Sequence, residues 1–234
     1  PKSTIDLTES EAERQYFASE IIQDIVNKKE PSLKLWVAKT GDIVKFGSYP
    51  QSEDADTEKT AIEWEVLAKE NERILLISKY GLDCKPYNEK REAVTWETSS
   101  IRRWLNEEFM QVAFIGDEQK WIAEITLENP NNRKFRTKGG RKTQDKIFLL
   151  SIEEAEKYFA SEVARACTPT NYAVANGAYE EEKTGNCSWW LRSPGLFQNN
   201  AAFVGNDGGV YVNGRVDYDH LADRPALWVN LEDM

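Results

Sequence analysis

Hydrophobic positions change their spacing several times along this chain, and each change marks an element. Phe17, Ile21 and Ile25, joined by Ile22 and Val26, put one apolar stripe on a helix that Thr8 and Glu11 open as a capping box. That helix should stop near Asn27, ahead of Pro31. From Gly41 the pattern turns to strands. GDIVKFGSYPQ predicts a strand closing at Tyr49-Pro50, and IEWEVLAKE with NERILLISKY predicts a hairpin whose second strand is buried. TWETSSIRRWLNEEFMQVAF predicts a helix capped by Ser99 or Ser100, with Ile101, Leu105 and Phe109 (and Trp104) on its inner face. DEQKWIAEITLE predicts a shorter helix running into a strand. NPNNRKFRTKGGRKTQD predicts a basic loop. In DKIFLLSIEEAEKYF a buried strand leads to a helix that begins after Ser151, where Glu153 and Glu154 suit the helix N-terminus. From Thr168 onward the pattern is short strands and long loops.

The order of elements lacks a regular βαβ alternation, which argues against a doubly wound parallel sheet and predicts a mixed α+β domain. Residues 1–40 form a helical appendage and residues 41–234 the domain. The apolar stripe of the first helix fits packing on its own domain and fits an oligomer contact.

Composition removes several classes of function. The formal charge of −10 over 234 residues gives no basic footprint for nucleic acid. No apolar run is long enough to span a membrane, and the first residues do not resemble a signal peptide, although the chain starts at Pro1. Cys84, Cys167 and Cys187 are an odd count at unpatterned spacing, which favours reduced thiols over a disulfide framework or a zinc knuckle. The expected location is the cytoplasm or a phage particle. Nucleotide-binding and zinc motifs are missing, and one histidine, His220, excludes multi-histidine metal sites. His220 with Cys187 or Ser193 has no positioning motif, Asp207, Asp217 and Asp219 lack calcium-loop spacing, and Arg133 to Lys142 reads as a solvated loop. No catalytic residue, metal or cofactor is expected.

One interval stands apart. Lys and Glu are abundant elsewhere, yet neither occurs from Phe197 to Ala222. Two aromatic blocks frame it, WWLRSPG and RPALWVNL, whose Trp189, Trp190 and Trp228 belong in a core. Arg192 and Arg224 should pair with buried carboxylates or stack on indoles. Within the interval Ala202, Val204, Val210, Val212 and Val216 suit structural positions, and Asn206-Asp207-Gly208-Gly209 and Asn213-Gly214 suit turns. What remains is the residue set of a recognition surface, rich in Tyr, Asn, Asp and Gly and poor in Lys and Glu. The contact residues expected at the start are Asn199, Asn200, Phe203, Gly205 and Asn206. Tyr211, Asn213, Arg215, Asp217, Tyr218, Asp219, His220 and Leu221 follow. The partner implied is an unknown protein or cell-surface ligand.

FGSYPQ, IEWEVL, LLISKYGLDCKPYN, TWETSSIRRWLNEEF, SWWLRSPG, the A-A-x-V-x-x-D-G core and RPALWVNL, in that order from Gly41 to Leu231, resemble a family of DUF6273-like domains. These occur in gut Firmicutes and their phages and have the C-type lectin-like fold. The resemblance implies that WWLRSPG opens the loop region and that RPALWVNL is a last strand pairing back near Ile43–Phe46. It also implies a variable protein of a diversity-generating retroelement, which mutates adenines. An AAC or AAT codon mutated at its adenines never yields Lys, Glu, Gln, Met or Trp, and every position from Phe197 to Ala222 obeys this except Gln198, which would have to be fixed. A binding module of fixed specificity is the alternative. Calcium-dependent sugar lectins are a poorer match, since Glu128-Asn129-Pro130 and Trp228-Val229-Asn230 only approach their motifs. Formylglycine-generating oxidases share the fold group, but their paired cysteines are not recognisable around Cys167 or Cys187.

Overall fold

The computed structural model describes residues 34–53 and 58–234. The chain divides into two units, Pro1–Ala38 and Lys39–Met234. The helix expected over the Thr8–Asn27 stretch lies outside the described residues. Of the first unit only residues 34–38 are described, a helical turn closed by the Ala38 N–H on the Lys34 carbonyl at 3.1 Å.

The second unit is mixed α+β, with antiparallel pairing throughout its sheets. Its main sheet runs β1 (Ile43–Tyr49), β2 (Thr60–Glu70), β3 (Arg73–Ser78), then β10 (Ala226–Asn230) and β6 (Ile147–Phe148). β2 and β3 form the expected hairpin, whose turn places Asn71 at φ 52°, a conformation its short amide side chain tolerates. The last strand does not pair near Ile43–Phe46. It lies between β3 and β6, with Trp228 opposite Leu75, while β1 is an edge. Burial accords with this placement: Ala226 to Val229 are all buried, so both faces of β10 are covered, whereas β1 has exposed positions at Ile43 and Lys45 and stands at the margin.

The helical segment begins at Ser100, not at the preceding Trp96–Thr98, which form a single 3-10 turn. Ser99 is its cap, accepting the Arg102 N–H at 3.3 Å. The run is α1 (Ser100–Trp104), a π turn (Leu105–Phe109) and α2 (Met110–Ala113). In the π turn Asn106 donates to the Arg102 and Ile147 carbonyls and accepts from Lys146 and Ile147 N–H groups, fastening the helix to β6. Ile101, Leu105 and Phe109 are buried as the spacing predicts, and Trp104 is half-buried. α3 (Glu118–Trp121) leads to β4 (Ile125–Leu127), which pairs with β5 (Thr143–Asp145). α4 (Ile152–Tyr158) starts on a full capping box, with Ser151 Oγ accepting from Glu154 N and Glu154 Oε2 from Ser151 N. Two short helices follow, α5 (Glu162–Arg165) and α6 (Asn171–Ala175), before a second sheet of β7 (Trp189–Pro194), β8 (Asn200–Val204) and β9 (Val210–Arg215).

Candidate recognition surface

Burial falls in steps across the second sheet. β7 is buried along its whole length, β8 is interrupted only at the half-buried Phe203, and edge strand β9 exposes Tyr211 and Asn213. An aromatic row crosses these strands from the interior outward. Tyr87 packs on Trp190 at 5.8 Å between ring centroids, Trp190 on Phe203 at 6.4 Å, and Phe203 stacks on Tyr211 at 5.4 Å. Tyr211, 41 % exposed, is the outer end of the row.

Two buried arginines hold the frame. Arg192 forms a bidentate pair with Glu154 and donates to the Leu149 carbonyl at 2.8 Å. Burial works to raise the Glu154 carboxyl, but Arg192 and the donors at Ser151 outweigh it and hold the group below its ordinary range. Arg224 lies over the Trp189 and Phe159 rings at 5.0 and 5.2 Å and pairs with Glu65 at 3.5 Å. Arg224 thus stacks on an indole as the sequence led one to expect, while the carboxylate that Arg192 pairs with is half-buried rather than buried.

The hairpin backbone is pinned from outside its own strands. Arg165 Nε donates to the Gly208 carbonyl at 2.9 Å. Gly208 has φ +83°, and a Cβ there would meet the Glu162 carbonyl oxygen at 1.8 Å, so only glycine fits. Asp207 closes the turn, accepting from Gly209 N at 2.9 Å and from the Tyr211 hydroxyl at 2.7 Å. The Tyr211 bond, then that of Gly209, holds the Asp207 carboxyl below its usual range, and the same bond raises the phenol. Upstream, Gln198 bridges two loops: its amide nitrogen donates to the Val94 and Lys138 carbonyls, each at 2.9 Å, and its oxygen accepts from Lys138 N at 3.2 Å.

Past β9 a second group forms. Arg215 binds Asp217 through two bonds of 3.1 and 2.7 Å, which hold that carboxyl low, and its guanidinium lies 5.4 Å from the Tyr218 ring centre. Tyr218 packs on His220 at 4.7 Å, and His220 Nδ1 is 3.7 Å from Asp219. Support comes from below, where the buried Cys84 thiol donates to the Asp219 and Leu221 carbonyls at 3.2 and 3.3 Å. Burial, then the Asp223 and Asp83 carboxyls, pushes that thiol up. Asp83 and Asp223 face each other across an antiparallel bridge where the interval rejoins the frame. Asp83 accepts the Tyr49 hydroxyl at 2.6 Å, and Asp223 the Lys85 N–H at 2.8 Å. Full burial, and then the neighbouring Asp83, raises the Asp223 carboxyl well above its ordinary range.

A model for the family described as Domain of unknown function (DUF6273) matches residues 71–231, well over half of the chain and the whole of this surface. The chain belongs to the DUF6273 family. No curated protein and no solved structure matches it. The matched region begins in the β2–β3 turn, so β1 and β2 complete the main sheet from outside the DUF6273 segment.

The expected contact residues separate by burial. In the DUF6273 segment Tyr211, Asn213, Asp219 and His220 are exposed, and Asn199, Phe203, Asn206, Arg215, Asp217 and Tyr218 are half-buried. Three others are corrections. Leu221 is a core residue; Asn200 is buried with its amide on the Asn213 carbonyl at 3.3 Å; Gly205 lies against the Tyr211 ring, which a Cβ would approach to 2.7 Å. Asn213-Gly214 is not a turn either. It lies inside β9, where the register slips between Ala201 and Phe203. Cross-strand partners share a face, so Gly214 and Tyr211 both lie with Phe203, and the extra residue is absorbed as a bulge at Val212–Asn213. Val210 and Val212 are half-buried and line a cleft of about 380 Å³ with Phe135, Ile152 and Glu153, which the periodicity did not signal. Phe197 and Val163 are exposed, at 63 and 82 %, and went unmarked because isolated apolar residues carry no pattern.

The nucleophile pairings considered for His220 do not form: Ser193 Oγ accepts from Ile152 N at 3.0 Å, and Cys187 faces Cys167. Cys167 and Cys187 thus meet across an antiparallel bridge, which their spacing in the sequence did not reveal. Arg133, Arg141 and Lys142 of the basic loop are engaged by Glu153, Glu97 and Glu128. Among the described residues no group of three or more His, Cys, Asp or Glu side chains is placed to hold a metal, and no helix is long and apolar enough to cross a membrane.

Proposed function

We propose that this DUF6273 domain is a ligand-binding module of the C-type lectin-like type, displaying residues 197–222 as a recognition surface for a protein or cell-surface partner. The observation that carries the reading is the division of labour in this interval. Its backbone is held by groups outside it, with Arg165 donating to the Gly208 carbonyl, the Asn186 amide to the Asn206 carbonyl and the Val94 N–H to the Gln198 carbonyl, while Tyr211, Asn213, Asp219 and His220 are exposed. Rigid aromatic area flanked by short polar side chains is the chemistry of adaptable recognition. The mixed α+β architecture, with a flanking helix and a small second sheet carrying long loops, supports the lectin-like assignment, whereas the place of the last strand between β3 and β6, away from β1, departs from it. Diversification by a retroelement is the origin we propose for the missing Lys and Glu; a surface of fixed specificity is the alternative.

Two measurements test this. The gene's neighbourhood should contain a reverse transcriptase and a near-copy of the DNA encoding the C-terminal interval; without either, the surface is of fixed specificity. Replacing the exposed Asn213, Asp219 and His220 together by Ala should leave the melting transition within a few degrees of the parent, since exposed substitutions each stay within about 0.5 kcal/mol. A fall of about ten degrees or more would make these residues structural and remove the binding reading, a 1 kcal/mol change in a domain this size being worth about 2–4 °C. The Cys167–Cys187 pair favours a second reading, a formylglycine-type oxidase. Both sulfurs are buried, which leaves a substrate peptide no approach. Copper- and oxygen-dependent oxidation of a cysteine peptide by the protein would reverse that ranking.

A further inference from the structure

Cys167 and Cys187 oppose each other on two antiparallel segments, with the Cys187 N–H on the Cys167 carbonyl at 2.7 Å. Antiparallel partners have Cα atoms about 4.5–5.5 Å apart, inside the span of about 4.4–6.8 Å that a disulfide bridges. Both thiols are free and buried, and the Cys167 thiol lies against the Thr168 and Lys79 carbonyls at 3.4 and 3.6 Å. The Arg224 guanidinium acts on both sulfurs. Gly81 forms the wall beside them: a Cβ there would stand 3.3 Å from Cys187 Sγ and 2.5 Å from the Ala222 side chain. The recognition surface uses neither thiol.

We propose that Cys167 and Cys187 are a paired oxidation site, closed to a disulfide by a hydroperoxide without rearrangement of the two segments. Cys167 is the attacking sulfur. Burial opposes its ionisation, but the neighbouring Cys187 thiol and the charge of Arg224 outweigh burial and lower the Cys167 thiol, while Cys187 is raised. The Cys167 thiolate attacks one oxygen of hydrogen peroxide, the O–O bond breaks, and the departing hydroxide takes the proton that the thiol released. Cys187 sulfur then attacks the sulfenic sulfur, the S–O bond breaks, and hydroxide leaves with the Cys187 proton as water. Two thiols and one peroxide become one disulfide and two waters. The bridge would tie the segment ahead of α6 to the one entering β7. Cys84 serves as an internal control, because burial and nearby carboxyls keep it protonated.

The test is to treat the folded full-length chain with hydrogen peroxide at neutral pH. Intact mass should fall by about 2 Da, the two hydrogens lost when a dithiol closes. Alkylation after unfolding should then modify Cys84 alone, and a digest should contain the peptides of Cys167 and Cys187 linked. Cys84→Ser should behave as the parent, and Cys167→Ser and Cys187→Ser should show no mass loss. Three alkylatable thiols after treatment, a bridge involving Cys84, a bridge between chains, or closure only in denaturant would each overturn the proposal. The parent's own digest decides the matter if a serine variant fails to fold.

Discussion

β9 and β10 are strands of similar length in the same third of the chain, yet they obey different rules. β10 has a strand on each side and buries Ala226, Leu227, Trp228 and Val229; β9 has one neighbour, a bulge, and an exposed Tyr211 and Asn213. A strand enclosed on both sides has its side chains chosen by the core. A strand at an edge, with its backbone held by neighbours, leaves side-chain identity to something other than folding.

The comparison breaks most visibly through the frame. Trp190→Ala removes a fully buried indole between Tyr87 and Phe203 and should cost about 3–5 kcal/mol in denaturant unfolding. Trp228, with the Arg73 guanidinium over its ring and 8 % exposure, should cost less. A loss near zero at Trp190 would mean that the frame is not where stability lies. Next comes Arg192→Met, which leaves the Glu154 carboxylate without its partner and should cost about 3 kcal/mol, the low end for a broken buried pair because Glu154 retains some solvent. The parent's pair also predicts an acid response. The Glu154 carboxyl is held low, so its stabilisation is present above the unfolded value and lost as pH falls through the folded one; Arg192→Met should flatten that part of the Tm–pH curve.

Asp223 has the opposite sign. Its folded carboxyl is raised, so the folded chain keeps a proton that the unfolded chain has released, and stability falls as pH climbs above the ordinary carboxylate range. Asp223→Asn should gain on the parent steadily from pH 4 to pH 8 in thermal melts; parallel curves would show that the group is not buried as a neutral acid.

The sharpest contrast is between two adjacent residues. A Cβ at Gly214 would meet Trp190 Cζ3 at 2.8 Å and Phe203 Cδ1 at 2.9 Å, so Gly214→Ala should cost about 1–3 kcal/mol by overpacking. Its neighbour Asn213 is exposed, and Asn213→Ala should stay within about 0.5 kcal/mol. Equal effects at the two positions would erase the distinction between frame and surface.

What could be read from residues alone follows the range of the interactions. The apolar runs ILLIS and ALWVN read as buried strands, and Ser151 with its following glutamates read as a helix start, because those signals are local. The place of β10 between β3 and β6 was not legible, since every candidate neighbour is apolar and pairing depends on the whole sheet. Asn213-Gly214 carries the usual sign of a hairpin turn, yet it lies inside β9, next to the bulge at Val212–Asn213 and with Gly214 close against the Trp190 ring. Asn200 and Leu221 share the composition of the surface but are claimed by the Asn213 carbonyl and the core. The meeting of Cys167 with Cys187 leaves no trace in spacing, because the segments between them are joined only through tertiary bridges.

Gln198 carries a consequence for heredity. Both glutamine codons have adenine in the second position, and any change there writes Leu, Pro or Arg. None of the three offers a side-chain oxygen to the Lys138 N–H, so each would release the loop that Gln198 clamps to the start of the hairpin. If the gene is rewritten at its adenines as proposed, the Gln198 codon must stay fixed for this clamp to survive.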